Sequence, residues 1–330
     1  MSGDLLHGGA LDQVRTQFPN APKPWIDLST GINPWPYPHM DLSTGSLAYL
    51  PTKAMYEACR EAIASALCAA PETLLLSPGS ELLIRALPDL IRPRRVAILS
   101  PTYADHAITW KRSGAEVIQT QDPLAYSDRV DAIVLCQPNN PDGRLFEVKA
   151  LEAAHQALAA RGGWLIMDEA YADLTPGFSL ASKSGANGLI ILRSFGKFFG
   201  LAGVRLGAML APDPILKKMA ERLGVWPVSG AALELGVRAY ADIAWQKEMR
   251  KKLSLAADQF DAALKAAGQN LAGGTDLFRL VETEDAHAVF HRLASAGLYV
   301  RRFDWSETHL RIGLPATSDA QARLIKALTL

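Results

Sequence analysis

From about Lys53 onward, helix-like patterns alternate with short apolar runs, and this alternation constrains the fold more than any other feature of the chain. Helical periodicity covers 53–67, 81–90 and 148–160, and strand-sized runs lie at 96–99, 132–136, 164–167, 189–192 and 206–210. Such alternation predicts an α/β layer with a mainly parallel sheet. After Asp213 the pattern turns mostly helical, with a long charged-faced stretch at 244–267. Short strand candidates (277–281, 299–303, 309–312) and helix candidates (285–296, 319–328) close the chain and predict a smaller α+β domain. The first forty residues are rich in Pro, Trp and Gly and read as irregular, because proline removes donors and disfavours helix in the residue before it. They are expected to pack on the smaller domain or to reach across to the larger one. The expected divisions are therefore an N-terminal segment 1–40, a large domain 41–235 and a small domain 236–330.

Composition narrows the partners. Lys+Arg and Asp+Glu stand at 34 each, which leaves no basic field for a nucleic acid and no polybasic stretch for a membrane surface. Apolar runs such as 189–192 are far too short to span a bilayer, and residues 1–10 lack a basic-then-apolar signal pattern. Cys59, Cys68 and Cys136 have neither metal nor disulfide-framework spacing, so no metal is expected and a reducing cytoplasm is. No G-x-G-x-x-G follows an early strand, which argues against a dinucleotide-binding protein.

Ligands of open α/β sheets sit beyond the carboxyl ends of the strands. Polar segments gather there repeatedly: Ser77-Pro78-Gly79-Ser80-Glu81, Ser100-Pro101-Thr102-Tyr103, Gln137-Pro138-Asn139-Asn140, Asp168-Glu169-Ala170-Tyr171 and Ser194-Phe195-Gly196-Lys197. Lys197 stands among Phe and Gly residues, a setting that favours a neutral amine; a lysine snorkelling at a domain edge is the plainer reading. Arg205, eight positions on, offers a fork suited to phosphate. Gly79-Ser80-Glu81 opens a predicted helix, whose free N–H groups and dipole face an anion. Asp168 also reads as a helix N-cap, and Asn140-Pro141-Asp142-Gly143 as a turn.

The segment from Ser194 to Gly207 carries S-x-x-K-x-x-x-L-x-G-x-R-x-G, and with the other strand-end segments it resembles the fold-type-I pyridoxal 5′-phosphate (PLP) enzymes. The resemblance runs from His7 to Arg311, and is to the branch holding histidinol-phosphate aminotransferases and threonine-phosphate decarboxylases. It implies that Lys197 binds the cofactor as a Schiff base and that Asp168 pairs with its pyridinium nitrogen. Asn140 and Tyr171 would bond the phenolic oxygen, Tyr103 would stack on the ring, and Ser80, Glu81, Ser194 and Arg205 would serve the phosphate end. Leu82 stands where relatives often carry an acidic residue. Tyr49 matches a tyrosine given to the neighbouring subunit's cofactor phosphate, which implies a homodimer.

For the substrate, Arg311 matches a carboxylate-binding arginine and Arg301 one that faces substrate anions, while the adjacent Arg302 is expected to point away into solvent. His7-Gly8-Gly9 and the segment with Asn33 are similar to threonine-phosphate decarboxylase segments that border the substrate and its phosphate. The resemblance thus implies decarboxylation of L-threonine O-3-phosphate to (R)-1-amino-2-propanol O-2-phosphate and CO₂, feeding cobalamin synthesis. Lys197, Asp168 and Tyr103 are the expected catalytic residues. An aminotransferase of the same fold is the alternative, since arginines for two anions suit either substrate. A non-catalytic PLP-fold binding protein is the remote one.

Overall fold

The apolar runs become the middle of a seven-stranded sheet in a computed structural model that describes residues 8–39 and 41–329. Strand order across it is Leu74–Ser77, Gly207–Leu210, Leu189–Ser194, Trp164–Asp168, Ala132–Cys136, Arg95–Leu99, Glu116–Thr120. All neighbours pair in parallel except Gly207–Leu210, which runs antiparallel to both of its partners. Ala132–Cys136 and Leu189–Leu192 are wholly buried, as strands covered on both faces must be. Helices Ser80–Ile91, Ala104–Arg112 and Asp213–Leu223 supply one cover, with Leu83, Leu87, Trp110, Ile215 and Met219 packed on Val96, Val134, Ile166 and Ile190.

Contacts divide the chain into two compact units. One holds Pro36–Asn140 and Arg144–Gln246; the other holds Met1–Trp35 in its described part, Pro141–Gly143 and Lys247–Leu330. These divisions differ from the expected bounds at 40/41 and 235/236, because the long helix Ile243–Ala266 begins in one unit and ends in the other. The opening segment belongs with the C-terminal residues. It is also more regular than expected: Leu11–Gln17 is a helix, and Ile26–Asp27 pairs in parallel with Leu298–Tyr299. In the same unit a four-stranded antiparallel sheet runs Arg301–Phe303, Ser306–Gly313, Phe278–Glu282, Asn270–Thr275. Close backbone approach fixes one corner of it, since a Cβ on Gly143 would fall 1.6 Å from the Gly274 carbonyl oxygen. No helix among the described residues is long and apolar enough to cross a membrane.

The sheet of the larger unit also carries a buried ion triad. Arg193, 2% exposed, donates to Glu169 at 2.8 Å and also to Asp173. Ser179 and the Leu180 N–H complete the shell of Glu169 at 2.6 and 3.2 Å. Removing one member of such a set strands the remaining charges in low dielectric. Arg193→Met is therefore expected to lower stability by about 3–5 kcal/mol, read as a shift of the urea midpoint at unchanged slope.

Candidate active site

Within the larger unit, four adjacent strand ends deliver the polar segments expected from the sequence. Trp164–Asp168 ends on Asp168, a residue only 4% exposed. Its Oδ1 accepts the Ala170 N–H at 3.1 Å, and its Oδ2 lies 3.0 Å from His106 Nε2. Burial opposes a charged imidazole. Hydrogen bonds to Asp168 and Cys136, with the charge of Asp168, outweigh it and lift His106 to about 10. The donor atoms of His106, Cys136 and Asp168 all lie within 4.8 Å of one another. The carboxylate–imidazole hydrogen bond accounts for that crowding without an ion.

Tyr103 precedes the helix Ala104–Arg112, and its ring meets the His106 ring edge-on at 6.0 Å. Its hydroxyl donates to Glu81 Oε2 at 3.0 Å, and Arg85 bonds both Glu81 and Asp105 at 2.5 and 2.9 Å. Burial and the neighbouring carboxylates Glu81 and Asp105 push the phenol well above its usual range, so it stays a donor. Glu81 is thus engaged by Tyr103 and Arg85, and its bearing on a ligand runs through the tyrosine. Lys197 Nζ lies 5.8 Å from the centre of the buried Tyr171 ring. Asn140, half-buried, follows the wholly buried Asn139.

The anion end is built from backbone. Gly79, at φ +86°, precedes the twelve-residue helix Ser80–Ile91, and a Cβ there would stand 2.6 Å from Arg205 Nη2. A Cβ on Gly207 would meet Gly79 C at 2.6 Å and Ser80 N at 2.7 Å. Ser194 pairs in register with Gly207, so Ser80, Ser194 and Arg205 converge on one helix N-terminus. Arg205 itself adopts the left-handed region at φ 55°, which turns its side chain back over Gly79. Tyr49 lies apart from this set and is 77% exposed.

The expected substrate residues sit in the other unit. Arg311 is 6% exposed and donates to the Ser29 carbonyl at 2.7 Å, with its guanidinium over the Phe278 ring at 5.0 Å. Ser29 also receives the Gly9 N–H on its Oγ at 2.8 Å, and Gly8 packs so closely that a Cβ would lie 2.4 Å from the Ser29 oxygen. Ser29 is in turn held by Asp27 Oδ1, at 2.8 Å from its N–H and 2.6 Å from its hydroxyl. Asn33 is buried and accepts the Trp35 N–H at 2.9 Å. Arg301 and Arg302 are both half-buried. The expectation of a solvated Arg302 fails, because its guanidinium stacks over the Phe290 ring at 4.7 Å and an apolar face there recovers buried area. His7 lies outside the described residues.

The aminotransferase class I and II family model matches residues 23–328. The chain belongs to that family. It is 40% identical to a threonine-phosphate decarboxylase of Pseudomonas aeruginosa over 98% of this chain and 97% of that protein. It is 38% identical to another of that name from a Sinorhizobium species, over 99% and 98% of the two chains. Among solved structures, the histidinol-phosphate aminotransferase of Sinorhizobium meliloti in complex with pyridoxal-5′-phosphate aligns with TM-score 0.80 at 18% identity, covering 96% and 93% of the two chains. This likeness places the chain's fold among those of the class I and II aminotransferases.

Sequence reasoning missed His106. It lies three residues after Tyr103 on one helical face, so an i, i+3 search from the aromatic would have brought it forward. Its titration gives a test by linkage. A folded-state value above the ordinary 6.5 means stabilisation that is complete below 6.5 and lost as pH rises toward about 10. Stability from urea unfolding should fall across this window in the parent, and His106→Asn should remove most of that slope.

Proposed function

We propose that this chain is a PLP-dependent decarboxylase of L-threonine O-3-phosphate, releasing CO₂ and (R)-1-amino-2-propanol O-2-phosphate. The observation that carries the reading is identity of 40% and 38% to threonine-phosphate decarboxylases over almost the whole of each chain. The residues fit the cofactor. Gly79 leaves open a cradle that a Cβ would fill, and Ser80, Ser194 and Arg205 border it with donors suited to a phosphate. Lys197 would take the aldehyde carbon, Asp168 the ring nitrogen, Asn140 and Tyr171 the phenolic oxygen, and Tyr103 the ring face. When bound, the cofactor supplies an electron sink for the pair left on Cα once a bond there breaks.

The chain's own residues then divide the work. His106 bonds Asp168 and holds in place the side chain that is assigned to balance positive charge at the ring nitrogen. Glu81 and Arg85 hold Tyr103 by its hydroxyl and so fix the plane of its ring. Arg311 is assigned the substrate carboxylate, Arg301 the substrate anions and the His7-Gly8-Gly9 segment the substrate phosphate, while the Asn33 segment would border the substrate. Lys197 is the proton donor that returns hydrogen to Cα.

A homodimer belongs to this reading. Leu47, Tyr49, Leu50, Val225 and Trp226 are 57–77% exposed, and Ser46 and Gly230, at the edges of the two segments, pack against each other. Such side chains gain most by meeting a second copy, which would present Tyr49 to the neighbouring phosphate cradle. The three cysteines, all free thiols, suit a cytoplasmic setting, and the product suits the aminopropanol arm of cobalamin.

The test is CO₂ release from L-threonine O-3-phosphate by the PLP-loaded protein with no keto acid present. Catalytic release, lost by at least about 10³-fold in Lys197→Ala, is expected. Absence of CO₂, with amino-group transfer from glutamate or histidinol phosphate instead, would make the protein an aminotransferase.

A further inference from the structure

Ser29 is fully buried, and its polar atoms are spent on Asp27, Gly9 and Arg311. Its N–H and its hydroxyl both donate to Asp27 Oδ1, at 2.8 and 2.6 Å. A carboxylate oxygen only accepts, so the single hydroxyl proton points to Asp27 and the lone pairs of Oγ face the other way. There they receive the Gly9 N–H at 2.8 Å. The Ser29 carbonyl meanwhile receives Arg311 Nη2 at 2.7 Å. The chain just before it is pinned on two sides: the Leu28 N–H donates to the Tyr299 carbonyl and the Gly313 N–H to the Leu28 carbonyl, each at 2.7 Å. One residue therefore holds the arginine assigned to the substrate carboxylate with its main chain and the Gly8-Gly9 turn with its side chain. Asp27 fixes the side-chain direction that lets it do both.

We propose that Asp27 and Ser29 are positioning residues that set the separation between Arg311 and the Gly8-Gly9 turn, and so select a substrate by the distance between its two anions. The proposal rests on the assignment of Arg311 to the substrate carboxylate and of residues 7–9 to its phosphate. Those assignments say which groups bind; the serine says how far apart they are held. An arginine side chain is long enough to trade one acceptor for another, and a glycine turn has little stiffness of its own. Joined through one buried residue, the two are held at a single spacing. A carboxylate and a phosphate on a longer chain then reach one partner and miss the other, whereas a ligand with one anion gains nothing from the spacing.

The experiment measures binding to the PLP-loaded full chain by calorimetry, with ligands that lack an amino group and so leave the cofactor untouched. 3-Phosphooxybutyrate carries the carboxylate and phosphate of L-threonine O-3-phosphate. 4-Phosphooxypentanoate sets them one methylene further apart, and 3-hydroxybutyrate has no phosphate. The parent should prefer the first to its longer homologue by at least about tenfold. Ser29→Ala keeps the carbonyl for Arg311 but releases the turn. It should cut this preference to about twofold or less, with 3-hydroxybutyrate binding changed by no more than about twofold. Asp27→Ala should do the same, and Asp27→Asn, whose Oδ1 still accepts, should restore the preference. A general loosening of the fold would instead weaken all three ligands together and leave the preference in place. Should an alanine variant fail to fold, Ser29→Cys, whose sulfur accepts only weakly from Gly9, must still lower the preference. A preference absent from the parent, or unmoved in the folded variants, overturns the proposal. CO₂ release plays no part in these readings. A protein with the expected preferences that releases no CO₂ keeps this spacing device and loses the decarboxylase reading; one that releases CO₂ with preferences unmoved does the reverse.

Discussion

Two adjacent carboxylates, Asp168 and Glu169, close the Trp164–Asp168 strand, and both are almost fully buried. Neighbours on a strand face opposite sides, so the two acids cannot share one counter-charge. Desolvating each is costly, and the rest of the larger unit is arranged to offset it. Glu169 turns to Arg193 on the next strand, with Ser179 and the Leu180 N–H filling its remaining lone pairs. Asp168 turns to His106 on the helix covering the other side. One strand end thus joins a structural ion cluster to the acid assigned to chemistry, and parallel register sets both.

Much of this was legible in the chain because strand ends announce themselves. An apolar run followed by Ser, Asn, Asp or Gly is short, local and repeated, so the polar segments could be found without knowing the sheet order. Their convergence could not. Ser80, Ser194 and Arg205 meet only because Gly207–Leu210 runs antiparallel between Leu74–Ser77 and Leu189–Ser194, a crossover that leaves no local trace. His106 escaped for a similar reason, as its partner is sixty-two residues away and its own surroundings read as plain helix.

The misread elements share a cause. Glu116–Thr120 is an edge strand with only partial burial, so its alternation is weak. Asn270–Thr275 contains Gly273 and Gly274, which disguise a strand as a turn, although close backbone approach is what requires them. The helix Leu11–Gln17 was overlooked because the prolines after it coloured the whole opening segment. Composition averaged over forty residues hid seven that were regular.

The carbonyl of Ser29 serves two segments just over three hundred residues apart: it accepts Arg311 and it presses on Gly8 so closely that no side chain fits there. A single oxygen atom is therefore a meeting point for residues 8 and 311. The two contacts are therefore coupled: a side chain at position 8 would displace the very carbonyl that Arg311 binds, so a change there would be felt at an arginine far along the chain.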